Sequence, residues 1–401
     1  MRRLGYRLAG PLAALAGLLA AAGPAMAQAC GGDFNAWLDG LKREAMAEGV
    51  SAATLQAAAP VLRFDQGVVR RDRGQAVFAQ SFLEFAGRMV NSYRLEHGAR
   101  NLQRHAATFE RIERQFGVPG PVIAAFWGLE TDYGANTGDF PTVTALASLA
   151  YDCRRPELFR PQLIAALKIL QRGDLRPGDM RGAWAGELGQ TQFLPLDYLE
   201  NGVDYDGDGR VDLLRSVPDV LASSANVLAQ MGWRRGEPWL QEVRAPADLP
   251  WAEADLAIRH PRSQWAAWGV RAADGGALPA DQLAAALVLP MGRNGPAFLA
   301  YPNFDVYLEW NQSLVYATTA AYFATRLAGA PRVSGGGNAP ALSLEQVKQL
   351  QELLASRGYD VGGVDGVIGA KTRAAIKDAQ QRLGLPADSW PTPELLARLR
   401  G

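Results

Sequence analysis

Glu130 lies within W-G-L-E-T-D-Y-G (Trp127–Gly134), directly after the apolar run Val122 to Leu129. Such a run predicts a buried helix, and an acid at its end loses hydration, which disfavours the charged form and raises the carboxyl pKa. A carboxylic acid that keeps its proton can donate it to a leaving oxygen. The alternative is a helix-terminal glutamate satisfied by backbone donors or an arginine. A second cluster is V-D-Y-D-G-D-G-R-V-D-L (Val203–Leu213), in which Asp204, Asp206 and Asp208 take positions 1, 3 and 5 of an EF-hand loop, Gly209 position 6 and Asp212 position 9. Carboxylates this close repel one another unless a cation sits among them. The candidate calcium residues are therefore Asp204, Asp206, Asp208, Arg210 and Asp212. Position 12, where a bidentate acid should close the shell, is Arg215. Either calcium binds for a structural purpose, or Arg215 itself neutralises the aspartates.

The elements that must position these residues are mainly helical. Phe34–Glu48, Gln80–Asn91, Leu102–Phe116, Pro121–Thr131, Pro161–Leu170, Val217–Met231 and Asn311–Leu327 all repeat apolar residues at three- and four-residue steps. Ser216 suits a helix cap and Pro121 a first helical turn. Between Glu242 and Tyr307 the pattern shortens to segments such as Ala284–Leu289 and Phe304–Leu308, which predict strands. Ala328 to Pro340 is Gly/Pro-rich without apolar period and predicts a flexible tether. Beyond it, Leu344–Ser356, Lys371–Leu383 and a short segment from Thr392 predict a small three-helix unit around a Gly-rich turn.

The chain has 401 residues, 48% of them hydrophobic, which is room for two or three packed domains. Its formal net charge of +0 gives no bulk attraction for nucleic acid or acidic membranes. Arg2, Arg3 and Arg7, the apolar Leu12–Ala22 and the small-x-small site Ala25-Met26-Ala27 read as an export signal cleaved before Gln28. The apolar run is shorter than the about 20 residues of a bilayer span, so no stable membrane insertion is expected. Ala27-Gln28-Ala29-Cys30 resembles a lipoprotein site, but Gln28 and the missing Leu three positions before Cys30 speak against a lipid anchor. The two cysteines, Cys30 and Cys153, predict one disulfide in an oxidising compartment, against two unpaired thiols. Zinc is disfavoured, since His97, His105 and His260 have no ligand spacing with a cysteine. Most of the ten tryptophans are assigned to the core.

F-W-G-L-E-T-D-Y-G around Glu130, G-E-L-G-Q-T-Q-F-L-P (Gly186–Pro195), the aspartate loop and Y-P-N-F-D-V-Y-L-E-W-N-Q-S (Tyr301–Ser313) occur in that order. Together they resemble the lytic murein transglycosylases of the membrane-bound type B family, in a soluble exported form. The tail, with L-Q-E-L-L-A-S-R-G-Y-D and V-D-G-V-I-G-A-K-T-R-A-A-I, is similar to a peptidoglycan-binding module, although Ala379 stands where that module usually carries Phe before its Gln, here Gln380.

The resemblance implies a mainly α (α+β) protein. Its parts would be a signal peptide (1–27), a lysozyme-like catalytic domain with a small β insertion (28–328), a flexible linker (329–341) and a three-helix peptidoglycan-binding domain (342–401). It implies a periplasmic monomer acting on peptidoglycan glycan strands, needing no cofactor, with structural calcium bound by some family members. Glu130 would be the sole acid/base. It would protonate the oxygen linking N-acetylmuramic acid to N-acetylglucosamine, then take the proton of the muramoyl C6 hydroxyl as this closes a 1,6-anhydro ring.

A hydrolase would need a second carboxylate about 5 to 9.5 Å away. Asp132 and Asp139 are near in sequence, but an i, i+2 pair does not share a helix face. A water-using muramidase and a non-catalytic wall-binding scaffold are the other readings. Gln192 matches a glutamine lining the sugar site and Asn311 an asparagine stabilising the reacting centre, with Tyr133, Gln190 and Trp310 as further cleft candidates. For the Gln and Asn residues the alternative is an amide satisfying nearby backbone. Ala183 departs from a serine that can hydrogen-bond the acid in many relatives. Glu187 stands where a small residue is usual; it is either a compensating contact or a solvated surface charge, and the second reading is taken.

Overall fold

The computed structural model describes residues 30–74, 80–334 and 342–401. The export signal and the 335–341 part of the linker fall outside the described residues.

The helix Gly120–Thr131 is the axis of the body, with Val122 to Leu129 all buried. A helix apolar on every face can only be stable when surrounded, and this one is. Helices Ser92–Arg104, Ala106–Phe116, Val217–Gln230 and Leu314–Leu327 pack around it. Gly128 permits the closest approach: a Cβ there would meet the Tyr133 hydroxyl at 2.7 Å and Phe323 at 3.0 Å. Pro119 and Pro121 open the axial helix, and Ser216 caps Val217–Gln230 by accepting from Asp219 N. The expected single helix Leu102–Phe116 is broken at His105, whose backbone leaves the helical region at φ −106°, ψ 22°.

A five-stranded antiparallel sheet forms the β insertion, in the order His260–Pro261, Ala284–Val288, Ala297–Ala300, Leu240–Arg244, Arg271–Ala272. Its second face closes over Trp265, Tyr301, Leu287 and Leu299. The strand expected at Phe304–Leu308 is instead part of a helix, Phe304–Trp310. A short apolar run does not distinguish strand from buried helix, and here Phe304 and Tyr307, one helical turn apart, both bury inward with Tyr307 stacked on Phe126 at 5.1 Å.

Cys30 and Cys153 form a disulfide with Cα atoms 5.1 Å apart, which leaves no Cys30 thiol for a lipid. The tail contains helices Leu344–Ala355, Ala370–Arg382 and Pro393–Arg400 around Leu350, Leu354, Ile376, Leu395 and Leu399. Ala379 is buried in this core, and Gln380 spends its amide on Asp388, Ser389 N and Trp390 O. The tail packs on the insertion: Arg373 donates to Leu289 O at 2.9 Å, Lys377 pairs with Asp255 at 2.7 Å, and Asp388 accepts from Arg293 N at 3.0 Å. The start of the tether is also held, since Ser334 N and Oγ both donate to Glu242 at 2.8 Å. Among the described residues, no helix is long and apolar enough to cross a membrane.

Candidate active site

Glu130 is the penultimate residue of the axial helix, and the chain turns sharply behind it. Asp132 and Tyr133 both adopt left-handed backbone, φ 52° and 62°, a conformation costly for residues with a Cβ. The surroundings hold this strained pair in place. Arg94 Nε donates to Asp132 at 2.6 Å, the Tyr133 hydroxyl donates to Arg94 O at 2.6 Å, and Asn136 donates to the other Asp132 oxygen at 2.9 Å. Tyr133, a cleft candidate by sequence, is thus a brace for the turn that aims Glu130.

The Glu130 carboxyl is shielded on most sides. Burial pushes its pKa up, hydrogen bonds from Tyr316 and Trp310 oppose that, and the charge of Glu187 adds to the rise. Both donors reach the same atom: the Tyr316 hydroxyl donates to Oε1, and Trp310 Nε1 donates to Oε1 at 3.1 Å. Oε2 has no partner among the described residues. Trp310 is fixed by the ring of Phe126 at 4.3 Å and that of Phe193 at 5.9 Å. Burial and the nearby Glu130 charge keep the Tyr316 hydroxyl protonated, its pKa well above the ordinary value.

The second wall is the hairpin Gly182–Phe193, in which Gly182 bridges to Leu188 and Leu188 to Phe193. Gln192 takes a left-handed φ of 55° and donates to Thr137 O at 3.0 Å and Gly189 O at 2.9 Å, so its amide nitrogen is spent on backbone. Gln190 is buried; it accepts from Trp127 Nε1 at 2.8 Å and donates to Leu214 O at 3.0 Å. Asn311 uses Oδ1 to accept from Ser313 N at 3.0 Å, while Nδ2 has no partner among the described residues.

Asp132 is bonded to Arg94, and Asp139, exposed at the surface, pairs with Arg181. Glu187 is not the solvated surface charge expected from the sequence. Its side chain is largely shielded, and burial raises its pKa. Sequence reasoning also missed Tyr316, which lies five positions past Asn311 and outside every motif considered. A surface hollow lies elsewhere, lined by Glu44, Glu48, Arg160 and Lys168, among which Arg160 pairs with Glu44 and Lys168 with Glu48.

In the aspartate loop, Asp204 and Asp206 gather with Asp219, their oxygens within 4.8 Å of one another. Asp219 is the first-turn acid of helix Val217–Gln230 and comes from outside the twelve-residue loop. Asp208 accepts from Arg210 N, and Asp212 accepts from Leu214 N and Arg215 N, so both turn away from this cluster. Arg215 does not neutralise the aspartates; its guanidinium lies 3.6 Å from Asp179.

Residues 33–325 match the Transglycosylase SLT domain, and residues 343–399 a peptidoglycan binding domain. SltB3 from Pseudomonas aeruginosa, solved in complex with NAG-anhNAM-pentapeptide, is 41% identical with a TM-score of 0.86 over 92% of this chain and 100% of that one. The Escherichia coli lytic transglycosylase Slt35, solved in complex with calcium, is 25% identical with a TM-score of 0.61, covering 73% of this chain and 92% of that one. Membrane-bound lytic murein transglycosylase B of Escherichia coli is 28% identical over 238 residues, 59% of this chain; the match spans 64% of that protein's length. The body therefore has the lysozyme-like lytic transglycosylase fold, and the chain belongs to the SLT-domain transglycosylase family.

Proposed function

We propose that the protein is a lytic transglycosylase that cleaves the β-1,4 bond between N-acetylmuramic acid and N-acetylglucosamine and leaves 1,6-anhydromuramoyl ends. The observation that carries this reading is the asymmetry of Glu130: Oε1 takes both hydrogen bonds and Oε2 takes none. Oε2 is then the oxygen that bears the proton and delivers it to the glycosidic oxygen. The substrate's own N-acetyl carbonyl shields the positive centre growing at C1. Glu130, now ionised, is stabilised by Tyr316 and Trp310 and takes the proton of the C6 hydroxyl as that oxygen bonds to C1. The proton count balances and water is not consumed. Asn311 Nδ2 supplies a neutral donor for the reacting sugar. SltB3, with its NAG-anhNAM-pentapeptide, carries the kind of product expected here.

The wall-binding tail brings the enzyme to glycan strands, and the export signal with the Cys30–Cys153 disulfide fits a periplasmic site of action. Structural calcium held by Asp204, Asp206 and Asp219 is part of this reading, supported by three convergent carboxylates without an arginine among them and by calcium in Slt35.

Incubation with murein sacculi tests the assignment. Release of anhydro-muropeptides, reduced on the order of 10²- to 10⁴-fold or more in Glu130→Gln, is expected. Reducing-end products would replace it with a muramidase, and binding without release with a scaffold.

A further inference from the structure

We propose that Arg94 is a positioning residue for Glu130: its planar guanidinium and its backbone carbonyl together lock the left-handed turn at Asp132 and Tyr133 that ends the axial helix, and so fix the direction in which the acid points. This rests on Glu130 being the proton donor. Two consecutive residues with a Cβ stand at positive φ, 52° and 62°. Such a pair persists only where its neighbours over-determine it.

Arg94 supplies that hold through its side chain and its backbone. Nε donates to Asp132 Oδ1 at 2.6 Å while Nη1 donates to Met89 O at 2.9 Å, so one rigid fork joins the turn to the end of helix Phe82–Met89. The Arg94 backbone O accepts from the Tyr133 hydroxyl at 2.6 Å, and its backbone N donates to the Asn91 cap at 2.9 Å. Only 13% of the Arg94 side chain and 24% of that of Asp132 are exposed, which spares this pair the solvent screening that weakens ion pairs at the surface. Gly98, one turn further along the same helix, lets Tyr133 come this close: a Cβ there would meet the Tyr133 hydroxyl at 2.5 Å.

The other bonds of the turn do not replace this clamp. Asp132 N and Tyr133 N donate to Gly128 O and Trp127 O at 3.1 and 3.2 Å, and Thr131 Oγ1 donates to Gln190 O at 2.6 Å and accepts from Gly134 N at 2.9 Å. These hold the backbone on either side, whereas the side chains of the two strained residues are held by Arg94 and, for Asp132, also by Asn136. Glu130 lies two residues before Asp132. A turn that relaxes toward ordinary backbone therefore moves the acid against Trp310 and Tyr316, which come from other helices and do not follow it.

The test is kcat and KM for anhydro-muropeptide release from soluble peptidoglycan oligomers. Arg94→Gln lowers kcat by up to about 10²-fold with KM unchanged, because the aim of the acid is lost and not the binding of sugar. Arg94→Lys keeps the charge but cannot reach Asp132 and Met89 O together, and its kcat falls as well. Glycine adopts positive φ without penalty. Asp132→Gly added to Arg94→Gln therefore recovers kcat, and Asp132→Ala added to it does not. Thermal melts confirm that each variant is folded at the assay temperature; if Arg94→Gln is not, Arg94→Lys and the single variants Asp132→Gly and Asp132→Ala carry the test, with Gly the more active. Wild-type kcat in the Arg94 variants, a loss confined to KM, or equal kcat for Gly and Ala at position 132 overturns the proposal. Glu130→Gln runs alongside: if it is active, the reading of Glu130 fails; if it is inactive while the Arg94 variants keep kcat, only the role of Arg94 fails.

Discussion

The Tyr316 hydroxyl donates to Glu130 Oε1 from a position 186 residues further along the chain. The donor stabilises the ionised carboxylate and so opposes the effect of burial. Tyr316→Phe removes it, raising the Glu130 pKa further and moving the alkaline limb of the pH–rate profile, where the acid loses its proton, to higher pH. The variant also destabilises the carboxylate that forms as Glu130 gives its proton to the leaving oxygen. A hydrogen bond to a charged group contributes about 1.5–3 kcal/mol, so kcat should fall roughly 10- to 100-fold. Paired pH–rate profiles read both effects.

Glu130 also costs the protein stability. Its folded pKa is raised above the unfolded value, so the folded state binds the extra proton and stability falls as pH rises from the ordinary carboxylate range through the raised pKa. Glu130→Gln carries no such penalty. Its melting temperature should exceed that of wild type at neutral pH, and the difference should shrink as the pH drops below the ordinary carboxylate range. Melting curves across that window check the sign; a variant less stable at neutral pH would contradict the desolvated state of Glu130.

Glu130 was legible in the sequence because its environment is local: an apolar helix ends at the acid, and the W-G-L-E-T-D-Y-G run supplies both the helix end and the turn. The helices with clear apolar period were legible for the same reason, and Ser216 showed its cap. What was not legible depends on pairings distant in sequence. Tyr316 is an ordinary helix residue until the fold brings it to Glu130. That Trp127 and Leu214 hydrogen-bond the Gln190 amide is likewise a product of the fold. Glu187 reads as a surface charge because nothing near it in sequence shows that the fold shields it. Phe304–Leu308 is too short for periodicity to separate strand from helix, and packing against Phe126 decided it.

The aspartate loop predicts a response to calcium that depends on Asp219. The Asp219 carboxylate already accepts from Tyr205 N, Asp206 N and Asp212 N, so Asp219→Asn lowers stability in any buffer. The informative quantity is the difference made by the ion. At calcium one hundred times the dissociation constant, wild type should gain about 2.7 kcal/mol, read as a higher melting temperature that EDTA reverses. Asp219→Asn should lose most of that gain, whereas Asp212→Asn, whose carboxylate faces Leu214 and Arg215, should keep it. Equal melting curves with calcium and with EDTA would remove the ion from this loop.

The seat of the wall-binding tail on the sheet predicts sensitivity at Gly292. This residue has φ 71°, and a Cβ there would lie 2.5 Å from the Trp390 Cβ and 3.1 Å from an Asp388 oxygen. Neither neighbour can yield cheaply: Trp390 is buried against the body, and Asp388 is held by Gln380 and Arg293. Beside them the Arg373 guanidinium is buried, its pKa pushed down to about 10 by desolvation, with its donor on Leu289 O. Overpacking of this kind costs about 1–3 kcal/mol, comparable to what a few polar contacts and one indole contribute to docking. Gly292→Ala should therefore free the tail while each domain stays folded. The radius of gyration from small-angle scattering should grow, and proteolysis between residues 334 and 342 should accelerate. Unchanged scattering would show that the sheet and the tail are held by more than this contact.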